Sequence, residues 1–134
     1  MGVDNIPSSV DIAVSGLKAQ AMRMSVIATN IANAGTTRTA DGTPYRRQDV
    51  VLRTGGGIEG VTVAKVAQDK KSEFKRILEP GHPDADAQGY VTMPNVDLPI
   101  EMMHLVLASR AYQANTAVMK RYQESIDLTM ELLR

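Results

Sequence analysis

Apolar positions near the start of the chain recur at the spacing of a helical seam. Within residues 8–34 they alternate at intervals of four and three, the heptad spacing of a coiled coil. Ser8, with Asp11 three residues later, forms a helix-start signal, and Gly35 follows as a stop signal. We therefore predict a first helix over about residues 8–34. Its predicted seam is Val10, Val14, Leu17, Ala21, Met24, Ala28 and Ile31, flanked by Ala13, Ile27 and Ala34.

The end of the chain carries a second pattern of the same kind. It predicts a helix from near Asp97 to Arg134, with Pro99 tolerated in the first turn, where its missing N–H costs little. A second apolar stripe indicates more apolar surface than one partner helix can cover. Asn115 interrupts the seam, so we expect it to find a hydrogen-bonding partner in an assembled state and to set helix register. The seam is Leu105, Ala108, Tyr112, Asn115, Met119, Tyr122, Ile126, Thr129 and Leu133.

The segment between the helices, residues 36–96, has a period of two instead. It contains most of the glycine and proline, and its short apolar runs are separated by turn signals such as those at 41–42, 80–81 and 88–89. This composition predicts either a small β-rich module or a long, partly ordered arm. The strand candidates are Val50 with Leu52, Val61 with Val63, Phe74 with Arg76 and Leu78, and Tyr90 with Val91 and Met93.

Together these patterns predict an α+β protein in which two long terminal helices pack as a coiled coil around a β-rich or extended middle segment. The expected organisation is an N-terminal helical part over residues 1–35, a middle module over 36–97 and a C-terminal helical part over 98–134. At 134 residues the chain is long enough for one modest core only. The two helices have more apolar surface than such a core can bury, which indicates self-assembly or an obligate partner.

Composition removes several classes of function. The 15 basic and 15 acidic residues cancel, so no long-range field attracts nucleic acid or acidic lipid. The absence of cysteine excludes disulfides, thiolate metal sites and a cysteine nucleophile. The first residues lack the basic and apolar regions of a secretory signal, and no apolar run approaches the roughly 20 residues of a membrane span. We expect a chain without a cleaved signal peptide or a membrane-inserted segment.

One short stretch of the middle segment offers candidate metal chemistry. Asp84, Asp86 and Gly89 occupy the first, third and sixth positions of a calcium loop, but its twelfth position is Asn95 where a bidentate glutamate is required. A small metal-dependent enzyme using His82 with the two aspartates is the alternative reading. We expect instead that the aspartates cap turns, with no metal, cofactor or catalytic residue.

The remaining polar motifs favour structural roles. Glu101 and His104 have the spacing of a di-iron helix, but no second Glu-x-x-His accompanies them. The glycines at 55–57 have no following lysine and helix, so we expect a flexible turn rather than a phosphate loop. The basic pairs at 46–47 and 70–71 lack the aromatic neighbours of a nucleic-acid surface. We expect solvated strand edges there.

The order of several motifs resembles one known protein family. Ser15–Gln20 and Val26–Ala34 are similar to the N-terminal signature of bacterial flagellar rod and hook axial proteins. The chain departs from the family around 53–57 and 69–72. Further similar stretches, which extend the resemblance over nearly the whole chain, are Thr36–Thr39 with Pro44–Arg47, Pro80–Ala87 with Gly89–Val91 and Pro94–Val96, and Ala108–Asn115.

The resemblance implies a structural subunit of the proximal rod, which crosses the periplasm and transmits motor torque. It implies export by the flagellar type III apparatus, terminal helices that pack together and against neighbours, and no enzymatic activity. The implied partners are copies of the chain, the rod proteins FlgB and FlgF, and the FliE adaptor, with no nucleic acid and no small-molecule substrate. The predicted assembly interface comprises Val14, Leu17, Met24, Ile27, Ile31, Leu105, Tyr112, Asn115, Met119, Tyr122, Ile126 and Leu133.

A second class of function fits the same pattern. A cytoplasmic coiled-coil adaptor, or an export-associated binding protein, would also carry two amphipathic helices without catalytic residues. Such an adaptor would form a small defined oligomer and remain inside the cell, whereas a rod subunit would fractionate with basal bodies.

Overall fold

Two terminal helices flank two β-hairpins. The computed structural model describes residues 9–55 and 60–133. The α+β class and the β-rich character of the middle segment are confirmed, and all four strand regions lie where the period-two pattern predicted them. In chain order the elements are α1 (Ser9–Ala32), β1 (Gln48–Thr54), β2 (Val61–Gln68), β3 (Lys75–Leu78), β4 (Tyr90–Met93) and α2 (Leu98–Leu132).

The first helix follows the predicted apolar pattern and stops close to the predicted residue. After Ala32 the Asn33 N–H still bonds to the Thr29 carbonyl at 3.1 Å, and the Thr36 N–H then bonds to the Asn33 carbonyl at 3.0 Å. These bonds end the helix in a turn, after which the chain continues toward β1. The predicted start at Ser8, and with it the capping arrangement, lies outside the described residues.

The second helix begins where the sequence predicted. Asp97 has an extended backbone and its carboxylate accepts a long hydrogen bond, 3.5 Å, from the Ile100 N–H, while Pro99 lies in the first turn. The helix ends at Leu132, and Arg134, the predicted last residue, lies outside the described residues. Its 35 residues make it about 52 Å long, against about 36 Å for the 24 residues of α1.

The helices pack side by side in opposite directions. Asn30 near the end of α1 bonds to Glu101 near the start of α2, and Gly16 farther back in α1 lies against Asn115 farther along α2. The two contacts are equally spaced on both helices, so they define one antiparallel register. The same register brings Tyr122 level with the first described residue of α1. About ten residues of α2 therefore continue beyond it.

The first hairpin rests on α1. β1 and β2 pair antiparallel with Val50 opposite Val66, and a bulge lies between Val51 and Leu52. The N–H of Val61, the first residue of β2, donates to the Ser15 hydroxyl of α1 at 3.0 Å. This bond joins the start of β2 to the first half of α1.

The second hairpin is held by the turn that the two aspartates were expected to cap. β3 and β4 pair antiparallel with Ile77 opposite the fully buried Val91. The Asp86 carboxylate accepts from the N–H groups of Gln88 and Tyr90, both at 2.9 Å. The Tyr90 bond first, and then the Gln88 bond, hold the pKa of Asp86 below its ordinary value. Asp86 thus acts as a turn cap, as predicted.

Asp84 has a different task, because it connects this hairpin to the loop after α1. Its carboxylate accepts from the Thr37 hydroxyl at 2.7 Å and pairs with Arg38 at 2.9 Å. The His82 ring accepts from the Asp84 N–H at 3.0 Å, which fixes the local turn. All three side chains of the metal alternative, His82, Asp84 and Asp86, thus have structural partners. In residues 9–55 and 60–133 no group of three or more candidate ligands is placed to hold a metal ion.

We predict that Gly89→Ala loosens the second hairpin. Gly89 has φ of +83°, and a Cβ there would lie 3.1 Å from Pro80. The left-handed conformation costs a side-chain-bearing residue about 1–2 kcal/mol. Faster hydrogen exchange at the Glu79 N–H, which bonds to the Gly89 carbonyl, measures the effect. Gly81→Ala is the control, because no atom lies within 4 Å of its Cβ position; equal acceleration by both substitutions would contradict the prediction.

Candidate assembly interface

Asn30, near the end of α1, is the centre of a buried polar cluster. Its Nδ2 donates to the Gln48 carbonyl at 2.8 Å and to Glu101 Oε2 at 3.1 Å. Its Oδ1 accepts from the Tyr45 hydroxyl and the Gln48 N–H, both at 2.9 Å. An amide side chain has two donor hydrogens and two acceptor lone pairs, so the capacity of Asn30 is filled. We call Asn30, Tyr45, Arg47 and Glu101 the junction cluster.

Glu101 brings a negative charge into this cluster. Its side chain is 1% exposed, and burial of a carboxylate is costly unless it is paired. Arg47 forms the ion pair with Glu101, because its Nε donates to Oε1 at 2.6 Å. Asn30 donates to the other oxygen, Oε2. His104, one turn farther along α2, lies 3.8 Å from the same Oε1. The buried charge of Glu101 on α2 is therefore neutralised and hydrogen-bonded by Asn30 of α1 and by Arg47, which directly precedes β1.

Asn95 extends the network to the connection between the two hairpins. Its Oδ1 accepts from the Arg47 N–H at 2.8 Å, and its Nδ2 donates to the carbonyls of Asp69 at 3.2 Å and Ser72 at 3.4 Å. Arg46 donates to the same two carbonyls at 2.8 and 3.2 Å, and its guanidinium lies 4.2 Å from the centre of the Phe74 ring. The middle segment is thereby held against the helix pair.

The electrostatics of the cluster follow from this geometry. Burial, and then the negative charge of Glu101, raise the pKa of Tyr45, with Arg47 acting in the opposite direction. Burial lowers the pKa of Arg47, but the hydrogen bond and charge of Glu101 outweigh it, so that the net pKa is raised. The cluster thus favours a neutral Tyr45 beside a charged Arg47.

The expectation that Arg46 and Arg47 are solvated strand-edge charges is wrong. The side chain of Arg47 is only 18% exposed, because its charge neutralises Glu101. A signal was present in the sequence, since Glu101 continues the spacing of the α2 seam four residues before Leu105. Asn30 likewise lies three residues after Ile27 on the flanking stripe of α1. Polar residues in line with apolar stripes indicate buried partners.

Within the chain, α1 buries a face different from its predicted seam. The buried face is centred roughly 130° around the helix from the seam, counting about 100° per residue. Ala21 and Ala28 of the seam are exposed, and its other members are half-buried. Of the predicted interface residues on α1, Ile27 is buried and Val14, Leu17, Met24 and Ile31 are half-buried. The residues that α1 does bury are Ala13, Ala19, Val26, Ile27 and Asn30.

In α2 the predicted seam faces α1 over the first part of the helix only. Ala108 is buried, and it lines the same cavity as Arg23 and Ile27 of α1. Toward the end of the helix the exposed fraction of the seam residues rises, from 38% at Tyr112 to 79% at Leu133. The predicted interface residues Leu105, Asn115 and Met119 are half-buried, whereas Tyr112, Tyr122, Ile126 and Leu133 are exposed.

Other large apolar side chains are exposed along α2. They include Met102, Val106, Leu107, Leu128 and Met130, each more than half exposed. These side chains lie on several sides of the helix, so a single partner helix cannot cover them.

No helix in the described part of the chain is long and apolar enough to cross a membrane.

Models of known families match both helical ends of the chain. Residues 11–38 match a model described as flagella basal body rod protein, and residues 87–132 match one described as the C-terminal region of flagellar basal body rod FlgEFG proteins. Both matches include residues of the junction cluster. The chain is therefore of the class of flagellar basal-body rod proteins.

Whole-chain relatives narrow that class. The flagellar basal-body rod protein FlgC of Escherichia coli O157:H7 is 44% identical over 126 residues, which cover 91% of this chain and 93% of the relative. FlgC of Borreliella burgdorferi is 39% identical over 95% of this chain and 97% of its own length, and FlgC of Agrobacterium fabrum is 36% identical over 98% of both. This chain belongs to the FlgC family, whose members are structural rod proteins and not enzymes.

We predict that Arg47→Ala strongly destabilises the protein. It leaves the Glu101 carboxylate buried beside only Asn30 and His104, and breaking a buried ion pair from one side lowers the free energy of unfolding by about 3 kcal/mol. Urea unfolding followed by circular dichroism measures the loss. Arg53→Ala removes an exposed arginine from β1, the strand that follows Arg47, and should cost less than about 0.5 kcal/mol. Similar losses for the two variants would show that the Arg47 pair is not important for folding.

We also predict a pH dependence that belongs to Tyr45. Because the folded protein raises the pKa of this hydroxyl above the ordinary tyrosine value of about 10, its contribution to stability is complete below that value and is lost as the pH rises through the folded pKa. Tyr45→Phe should therefore reduce the loss of stability measured by urea unfolding between neutral pH and pH above about 10. Tyr122→Phe, at an exposed position, is the control. An unchanged alkaline slope in Tyr45→Phe would contradict the assignment.

Proposed function

We propose that this protein is a subunit of the proximal flagellar rod that assembles helically through its two terminal helices. The observation that carries the proposal is the apolar surface left exposed on both helices of an otherwise well-connected chain. The half-exposed seam of α1 and the end of α2 beyond Tyr122 require neighbours that the described part of the chain does not provide. The FlgC relatives, which are basal-body rod proteins, support this location for the chain.

The total surface supports obligate assembly. The chain has an accessible surface of 9751 Å², whereas a compact globular protein of its 14.5 kDa exposes about 6,900 Å². Obligate assemblies bury apolar faces of this kind when subunits meet. A subunit with a large exposed apolar surface is stable only when neighbours cover it, which suits a protein that works inside a filament.

The proposed interface is the set of twelve residues predicted from the sequence, of which Ile27 is buried within the chain and the other eleven are half-buried or exposed. On α1 the half-buried Leu17 lies off the buried face, and the half-buried Ile31 lies at its edge, so both remain partly accessible to a neighbour. On α2 the exposed Tyr122 lies level with the first described residue of α1, and the exposed Ile126 lies beyond it. We propose that these two groups meet in coiled-coil packing between adjacent subunits.

The proposed partners are other copies of the chain, FlgB, FlgF and the FliE adaptor, reached after export without a cleaved signal peptide. In such a filament the helices would carry the mechanical load of rotation. The junction cluster would transmit that load to the β-hairpins, because Asn30, Arg47 and Glu101 connect α1, β1 and α2 by short polar contacts. A rod that transmits torque requires such stiff connections between its layers.

We predict that Leu17→Asp or Ile31→Asp prevents rod assembly. Each side chain is half-buried in the chain but would be fully covered in the proposed seam, where an unpaired charge costs several kcal/mol. The expected result in a strain carrying only the variant gene is loss of swimming and of the chain from purified basal bodies. Circular dichroism of the purified variants should still show helix.

Ser25→Asp is the matched control, because it introduces the same charge at an exposed position of α1 outside the predicted seam. It should swim at close to the normal rate. Recovery of Leu17→Asp and Ile31→Asp in basal bodies at the level of Ser25→Asp would refute the seam. Retention of the unmodified chain in the cytoplasm, as a small soluble oligomer, would instead favour the adaptor.

A further inference from the structure

Gly16 is the single glycine within α1, and its backbone does not require glycine. Its φ is not in the left-handed region, so any residue fits the local conformation. Glycine inside a helix is unfavourable, and alanine would favour folding by about two- to fivefold in the equilibrium constant. A feature outside the helix must therefore account for glycine at this position.

The neighbouring helix supplies that feature. A Cβ at position 16 would lie 2.8 Å from Asn115 Nδ2, 3.2 Å from its Cγ and 3.3 Å from its Oδ1. A larger residue at position 16 would fit only if the Asn115 amide moved aside. Asn115 therefore occupies the space that the missing Cβ leaves. We call this contact the Gly16 notch.

We propose that the Gly16 notch fixes the register of α2 against α1 by receiving the side chain of Asn115. The fit is steric, because within residues 9–55 and 60–133 the side chain of Asn115 has no hydrogen-bonding partner. A slip of α2 by one turn would bring Ala111 or Met119 toward the notch. Alanine would leave a void there, and methionine would overfill it.

The notch acts together with the junction cluster. Gly16 and Asn30 are fourteen positions apart on α1, as are Asn115 and Glu101 on α2, so both contacts fit simultaneously in one register only. The register determines how much of α2 extends past α1. If the proposed rod function is correct, the notch thereby sets the length of helix that each subunit offers to its neighbours.

A double-mutant cycle tests the steric contact. Gly16→Ala should leave the unfolding equilibrium unchanged or shift it toward the unfolded state, although alanine is the better helix former, because the Asn115 amide has to move. In the Asn115→Ala background the same substitution should shift it toward the folded state by about two- to fivefold. Gly35→Ala has no atom within 4 Å of its Cβ position and should behave alike in both backgrounds. Stabilisation by Gly16→Ala in both backgrounds would overturn the proposal, as would failure of both Gly16→Ala and its double variant to fold.

A distance measurement tests the register itself. The chain has no cysteine, so Ser25→Cys and Gln123→Cys can carry a pair of nitroxide spin labels at exposed positions. Gly16→Ala should broaden the label distance distribution or shift it by about 5 Å, one helical turn, and Asn115→Ala added to it should restore the original distance. An unchanged distance in Gly16→Ala would refute the role in register. Both experiments use the isolated chain, so a failure of rod assembly in cells would count against the proposed function and not against the notch.

Discussion

A buried carboxylate needs partners, and Glu101 finds them on segments that are far apart in sequence. Asn30 of α1 and Arg47 at the start of β1 each bond to one of its oxygens, so the charge is neutralised only when both helices and the first strand are in place. Because an unpaired buried charge is costly, this requirement is stricter than any single apolar contact in the chain. The pairing of Glu101 therefore fixes the path of the loop after α1. It also fixes the position of the first hairpin and of the start of α2.

The apolar core that surrounds this cluster is thin. It consists largely of small side chains, including Ala13, Ala19 and Ala108, and few large residues are fully buried. Small residues let two helices approach closely but bury little apolar area, so the stability that they provide is limited. The hydrogen bonds and the ion pair of the junction cluster therefore determine how the elements are arranged, while most of the large apolar side chains remain at the surface. That division suits the proposed role as a rod subunit, in which neighbours would cover the exposed side chains.

Register and exposure are coupled in this design. The contacts of Gly16 with Asn115 and of Asn30 with Glu101 hold α1 and α2 at one relative height, and the greater length of α2 then leaves its last turns beyond the described part of α1. A change of one turn would move about 5 Å of apolar helix into or out of the intrachain contact. The side chains of Asn30 and Asn115 thereby determine how much of the apolar surface of α2 remains exposed beyond α1.

The sequence by itself determined the elements, because their signals are local. The heptad spacing predicted both helices, Pro99 lay in the first turn as expected, and the period-two runs marked all four strands. The coiled-coil seams also identified surface that the single chain leaves partly exposed. Only the tertiary structure decided which face of α1 is buried and that Arg47 belongs inside, since these follow from pairing with Glu101. Asn30 and Glu101 are 71 residues apart, and no local periodicity determines which polar groups the folded chain brings together.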